Sequence, residues 1–229
     1  MEPVTQVLAS VALARAGLNR TTRLATPILI ATALAPDLDL LSSFGGADAY
    51  LNIHRTVLHS VAGGICLAMG IATAACAADR SIKRPAGAAP LGAGFALLLA
   101  LAGIAFHDLL DLLNSGGVQL FWPFHPKWFA WSLVSNLDPW ILALLVAGLL
   151  LPELFKLVGE EIGERKRKSP SQQRWAIAVL ALISMYAVDR GALHSRAVDV
   201  LLSRTYRGAV PIAASSASPI SIPPWRAAS

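Results

Sequence analysis

A chain of 229 residues with 55% hydrophobic and only 14% charged residues is one domain by length, and its uncharged runs near bilayer length exclude an ordinary soluble globule. The net charge of +5 does not point to nucleic acid, because Lys and Arg gather in the breaks between apolar segments, where membrane topology wants them. Cys66 and Cys76 share the uncharged run from Ser60 to Ala78 and read as small packing residues rather than a disulfide or a metal site.

The first helix is expected from Pro3 to about Leu18, ending in the basic turn with Arg20 and Arg23. With no early basic region ahead of a cleavable apolar core, it should serve as its own targeting signal. The second runs from Leu24 to about Leu41 and carries Pro36-Asp37-Leu38-Asp39 near its end. After a loop with Gly45-Gly46, the stretch His54-Arg55-Thr56-Val57-Leu58-His59-Ser60 opens a third helix to about Ala78. Arg80, Lys83 and Arg84 form a basic break. From Gly87 to Phe106 nothing is charged, close to the ~20 residues that cross a hydrocarbon core. This fourth helix ends in His107-Asp108-Leu109-Leu110-Asp111. Asp138-Pro139-Trp140 starts a fifth, with proline in its first turn, which fades after Pro152. A charged run from Glu160 to Lys168 precedes a sixth, Trp175 to about Val188. The class is therefore an all-α polytopic transmembrane helical bundle of about five to six helices. It occupies residues 1–190, with a basic and then Ala/Ser/Pro-rich tail over 191–229.

The basic breaks follow the first, third and fifth helices and should be cytoplasmic. The opposite ends of the helices then share the other side, and there lie Gln6, Asp37, Asp39, His54, His59, His107, Asp111 and Asp138. Nearly every acidic or imidazole group near a helix end falls on one face. The tail arginines Arg190, Arg196, Arg204 and Arg207 would also lie on that side, against the rule.

His107 and Asp111, four apart, leave one helical face together, and an imidazole stacked on a carboxylate is a ready pair of metal ligands. Ionisable groups near the end of a membrane helix are costly and usually functional. Asp37, Asp39, His54 and His59 can join them, provided His54 sits in the loop before its helix. That donor set suits a divalent metal: zinc if imidazole dominates, manganese or magnesium as carboxylates increase. A metal there could serve hydrolysis of a phosphoester or similar ester of a lipid or lipid-linked molecule. Arg55 could grip a phosphate bidentately or merely rest in headgroups, and Asp138 could be a ligand, a general base or only a helix N-cap. His125 reads as structural or interfacial. The aromatics Phe121, Trp122, Phe124, Trp128, Phe129 and Trp131 read first as an interfacial belt, with the lining of a lipid cleft as the other use.

Taken in order, several stretches together resemble the membrane-bound metal-dependent hydrolase family of the YdjM type. They are Met1-Glu2-Pro3-Val4-Thr5-Gln6, Ala35-Pro36-Asp37-Leu38-Asp39, His54-Arg55 with His59-Ser60, His107 to Asp111 with Asn114 and Gly117, Leu120 to Phe124, and Asp138-Pro139-Trp140. The resemblance spans about residues 1 to 150. It implies an integral protein of the bacterial inner membrane labelled a hydrolase, with distant kinship to zinc-dependent phospholipases C and single-strand nucleases. Two departures stand out. The family usually has Thr-His where this chain has Thr5-Gln6, and Gly and Thr where it has Thr56 and Leu58. Glutamine is a poor zinc ligand, so Gln6 is expected in a weak or supporting role.

The expectation is a metal-dependent membrane hydrolase. Asp37, Asp39, His54, His59, His107 and Asp111 would be the ligands, Asp138 and Arg55 the catalytic helpers, and a membrane lipid or lipid-linked molecule the substrate. The alternatives are a non-catalytic metal-binding membrane protein and a cation or proton transporter, which should carry ionisable groups at mid-depth in several helices.

Overall fold

The structure is a computed structural model that describes residues 1–83, 89–161 and 172–204. The expected break at Arg84, most of the charged run to Lys168, and the Ala/Ser/Pro-rich stretch from Ala209 lie outside the described residues. The helices are α1 (Pro3–Arg15), α2 (Ala25–Leu34), α3 (Ala47–Ile53), α4 (Val61–Ser81), α5 (Ala93–Leu112), α6 (Pro139–Glu161) and α7 (Gln172–Leu202). Among the described residues there are isolated backbone bridges but no strands, so the molecule is all-α.

Five segments are long and apolar enough to cross a bilayer: Ala25–Gly45, α4, α5, Pro139–Val158 and α7. They alternate in direction, so the start of α1, the end of the α2 segment, the start of α4, the end of α5 and the start of α6 share one end of the bundle. α1 differs from the rest. Its 13 residues reach only ~20 Å at ~1.5 Å per residue, and it buries Thr5, Gln6, Ala9, Ser10, Ala12 and Ala14. It is a short central post around which the spans are arranged.

The short helix α3 falls in the expected loop and α4 starts at Val61 rather than near His54; three further boundaries differ from the sequence reading for a local reason. α2 stops at Leu34 and continues as a 3₁₀ coil from Pro36 to Gly45, because proline lacks an N–H and its ring clashes with the carbonyl four residues back. α6 runs through Pro152 to Glu161 rather than fading, which a membrane helix tolerates when neighbours re-satisfy the freed backbone. Here Arg15 donates to the Leu149 carbonyl at 3.1 Å, next to the Gly148 carbonyl that Pro152 leaves without its helical donor. α7 continues to Leu202, past the expected end near Val188, and Arg190 in that extension donates to the Leu133 carbonyl at 2.9 Å.

Two apolar clusters hold the bundle. Ala9, Ala12, Leu110, Leu113, Ile141, Leu145 and Ile183 join α1, α5, α6 and α7. Ala14, Ala25, Leu29, Ala68, Leu99 and Ile104 join α1, α2, α4 and α5. Small residues let these helices approach, as is usual in membranes. A Cβ on Gly103 would collide with Thr32 of α2, and one on Gly148 with Val179 of α7. The end remote from the α1 start is tied by Arg23. Its guanidinium donates to Asp79 Oδ1 at 2.9 and 3.1 Å and to the backbone carbonyls of Asp79, Ile82 and Lys83. The two cysteines are free, as their place in the uncharged run implies.

Gly103→Ala should therefore lower thermal stability in detergent by about 1–3 kcal/mol, the usual cost of overpacking. Gly70→Ala, where an added Cβ meets nothing within 4 Å, should leave it unchanged or slightly raised. Equal melting of the two variants would show that the α2–α5 seam has slack.

Candidate metal centre

Where α2 gives way to the 3₁₀ coil, Asp37 and Asp39 stand ~120° apart the short way round at ~120° per residue, close enough for both to face the site yet apart enough to meet different partners. Asp37 faces His59 and His107, with its Oδ1 at 3.8 Å from His59 Nε2 and 3.9 Å from His107 Nε2. Asp39 turns instead toward the loop before α4. It pairs with His54 Nδ1 at 2.9 Å, approaches His59 Nδ1 at 3.2 Å and accepts the backbone N–H of Arg55 at 2.7 Å. His59 stands just ahead of α4, which Ser60 caps by accepting from the Gly63 N–H at 3.0 Å. From α5, His107 and Asp111 arrive one turn apart, as their spacing predicts.

Asp37, His59, His107 and Asp111 each offer one ligand atom, and these four atoms lie within 4.8 Å of one another. His59, His107 and Asp111 have no exposed surface. The proton positions follow from the partners on the far side of each ring. His107 Nδ1 lies 3.0 Å from the Ala33 carbonyl, which can only accept, so Nδ1 carries the proton and Nε2 presents a lone pair. His59 Nδ1 faces the Asp39 carboxylate, which places its proton on that side too. Burial lowers the pKa of His59 from its ordinary value, against the pull of Asp39, and with Nδ1 turned to Asp39 its Nε2 is the nitrogen left to face the cluster. The two Nε2 atoms are 3.3 Å apart, and Asp111 Oδ2 is 3.3 Å from one and 3.6 Å from the other.

Asp111 divides its two oxygens. Oδ1 faces the Met1 amino group, accepts from Gln6 Nε2 at 3.1 Å and lies 4.0 Å from Arg55 Nη2. Oδ2 is buried without a hydrogen-bond partner and turns to the imidazoles. Burial lowers the Met1 amine to about 4, with Arg55 adding to the effect. The cluster thus consists of acceptors facing acceptors, with donors kept to the outside. Such a set fits a cation, and the orienting contacts behind each imidazole are those that metal-binding histidines normally have.

The other predicted residues fall around this group. Asp39 lies behind His59, and His54 beyond Asp39, stacked on Tyr50 with ring centroids 4.6 Å apart. Neither belongs to the four-residue convergence. Gln6 supports Asp111 and also donates to the His107 carbonyl at 3.3 Å. Asp138 is not in the group. Its Oδ1 accepts from the Trp140 and Ile141 N–H groups at 3.0 and 3.2 Å, and its Oδ2 accepts from the Tyr186 hydroxyl at 3.1 Å, so its contacts are those of a cap for α6. Arg55 is 8% exposed, has a left-handed φ of 60°, and donates from Nη2 to Asn136 at 3.1 Å. Phe121, Trp122, Phe124 and Trp131 are exposed in the loop after α5, as an interfacial belt would be. The sequence reading missed the Met1 amine, the Ala33 carbonyl and Asn136. The first two are backbone groups and carry no side-chain signal.

Fold and cluster together define an integral helical membrane protein with an Asp/His group able to hold a metal ion. The chain belongs to the YdjM inner membrane protein family, whose model matches residues 1–197. That family is of the membrane-bound, metal-dependent hydrolase type. No curated protein and no solved structure matches the chain significantly.

Asp138→Ala should cost about 0.5–2 kcal/mol of stability, as expected for a lost N-cap, while leaving bound metal per chain unchanged. Thermal melting beside elemental analysis of the same sample checks this, and loss of metal would return Asp138 to the centre.

Proposed function

We propose that the protein is a metal-dependent hydrolase acting on an ester, of phosphoester type, in a lipid or lipid-linked substrate on the extracytoplasmic side. The observation that carries this reading is the buried convergence of two imidazole lone pairs and two carboxylate oxygens with no donor between them. Asp37, His59, His107 and Asp111 are the proposed ligands, zinc being favoured by the two imidazoles. Bound there, a divalent ion would supply Lewis acidity toward the ester and a nucleophile at neutral pH. Asp39 positions His59 from behind, and His54 steadies Asp39. Gln6 and the Met1 amine hold Asp111 so that Oδ2 points inward. Arg55 lies beside Asp111, where it can meet an anionic group.

The membrane side of the reading rests on placement. The cluster lies at the ends of the spans, near exposed Phe44 and Trp140, the level at which aromatics meet headgroups. Arg20, Arg23, Arg80 and Lys83 are at the remote end, which the positive-inside rule assigns to the cytoplasm. A non-catalytic metal-binding protein is the second reading, favoured by Gln6, which stands where the resembled family has histidine.

Detergent-purified wild type should carry about one divalent ion per chain, and His107→Ala combined with Asp111→Ala should carry almost none. Equal, negligible metal in both would sink the proposal. With metal present, hydrolysis of phosphodiester or lipid substrates should be abolished by a chelator and restored by added metal; metal without turnover favours the second reading.

For orientation, a cysteine at exposed position 48, in a chain with Cys66 and Cys76 replaced by Ser, should react with an impermeant thiol reagent on intact cells. Reaction only after lysis would put the centre on the cytoplasmic side.

A further inference from the structure

Arg55 is built into its place in a way that metal binding alone does not require. Its backbone occupies the left-handed region at φ 60°, costly for a side chain with a Cβ, and is held there by the N–H donated to Asp39 at 2.7 Å. Its guanidinium then lies over Gly116, where a Cβ would collide with Nη1. Nη2 donates to Asn136 Oδ1, which also accepts from Asn114 Nδ2 at 2.6 Å, and Asn114 Oδ1 in turn accepts from the Gly116 N–H at 3.2 Å. The network fixes the fork at one end and leaves the other without an acceptor. Nε is buried and has no hydrogen-bond partner. A buried, unpaired donor on a charged group is costly, and the natural complement of a guanidinium edge is an oxyanion taken through two oxygens.

We propose that the unpaired Nε side of the Arg55 guanidinium, which Gly116 seats by leaving room for Nη1, is a subsite for the phosphate of a phosphodiester beside the metal centre. The inference rests on the proposed hydrolase reading and supplies its substrate class. Arg55 Nη2 is 4.0 Å from Asp111 Oδ1, while Oδ2 of the same carboxylate faces the two imidazoles. A phosphate spanning Arg55 and the cation therefore needs to reach across only one carboxylate. The charge of the subsite favours a monoanion. The carboxylates of Asp37, Asp39 and Asp111 are already matched by a divalent ion and one guanidinium, so a diester monoanion adds half the uncompensated charge of a monoester dianion. Asn114 and Asn136 hold the arginine rather than the ligand, since their placed contacts go to one another, to Arg55 and to the 114–116 turn.

The test is binding, measured on the full chain in phosphate-free maltoside detergent, with metal content determined on every sample. Calorimetric titration with dimethyl phosphate and, separately, with a short-chain phosphatidylglycerol reads the two possible sources of the group. Both should bind the wild type. A lipid affinity tenfold or more above that of the soluble diester assigns a lipid headgroup, and comparable affinities assign a free phosphodiester; either supports the subsite. Arg55→Lys keeps the charge but loses the fork, and Gly116→Ala pushes the guanidinium off its seat while leaving every proposed metal ligand in place. Both should weaken diester binding at least tenfold and retain wild-type metal. Diester affinity within twofold of wild type in a folded, metal-loaded sample of either variant overturns the proposal. If the wild type holds no metal, the hydrolase reading fails, yet the same titration still reports on the arginine subsite by itself.

Discussion

Two imidazole nitrogens lie 3.3–3.9 Å from each other and from two carboxylate oxygens, and in a buried place such a group is relieved by a positive charge, a cation or a shared proton, between them. Each His has its one proton committed to the outside, His107 to the Ala33 carbonyl and His59 toward Asp39. Acceptors so arranged repel, more strongly in a low-dielectric interior than in water. The surrounding donors sharpen this point. Of the two Asp111 oxygens, Gln6 and the Met1 amine address Oδ1, which leaves Oδ2 inward and unpartnered. A cation is the simplest group that turns this repulsion into attraction from four sides at once.

The fold delivers that constellation through a small number of local decisions. Pro36 ends an α-helix one residue before Asp37, and the coil that follows leaves Asp37 and Asp39 ~120° apart on the side of the site. One carboxylate is thereby freed for the cluster while the other reaches the loop before α4. There Asp39 meets His54, His59 and the Arg55 backbone together, so one side chain sets an imidazole and the start of the arginine subsite. A continuous α-helix would have set these two residues ~160° apart the short way round, nearly opposed, where the 3₁₀ coil leaves ~120° and keeps both on the side of the site. The departure from regular helix is therefore part of the site.

Much of this was legible in the sequence, and the parts that were not share a cause. The uncharged runs located the spans, and the 3.6-residue period put His107 beside Asp111. The alternation of basic breaks with acidic and imidazole ends showed that the chemistry lies at one level. What sequence could not separate was the inner group from the supporting one. Asp37 and Asp39 look alike in Pro36-Asp37-Leu38-Asp39, and only the pitch of the coil after Pro36 tells which faces the histidines. His54 and His59 are likewise one motif to the eye, and a left-handed turn at Arg55 sends them to different tasks. Asp138 read as a cap or a participant, and the tyrosine that occupies its second oxygen, Tyr186, comes from a helix 48 residues away. Helix ends erred where tertiary partners override local signals, as at Pro152 and beyond Val188.

The distribution of polar groups along the bundle bears on the transporter alternative. A path for ions or protons needs ionisable side chains in the middle of several spans. Among the described residues the buried middle is instead Ala12, Ile28, Leu29, Ala68, Ala100 and Leu145, with Ser10 and Thr32 as its small polar members. Thr32 spends its hydroxyl on the Leu29 carbonyl at 2.8 Å. At the remote end Arg23 is engaged with Asp79 and three backbone carbonyls, and Arg15 with Glu153 at 3.4 Å and the Leu149 carbonyl. Those arginines close the bundle where a path would have to open. A reactive group confined to one edge of the bilayer suits a substrate whose polar head lies at that edge while its apolar part stays in the membrane, and that arrangement needs no passage through the protein.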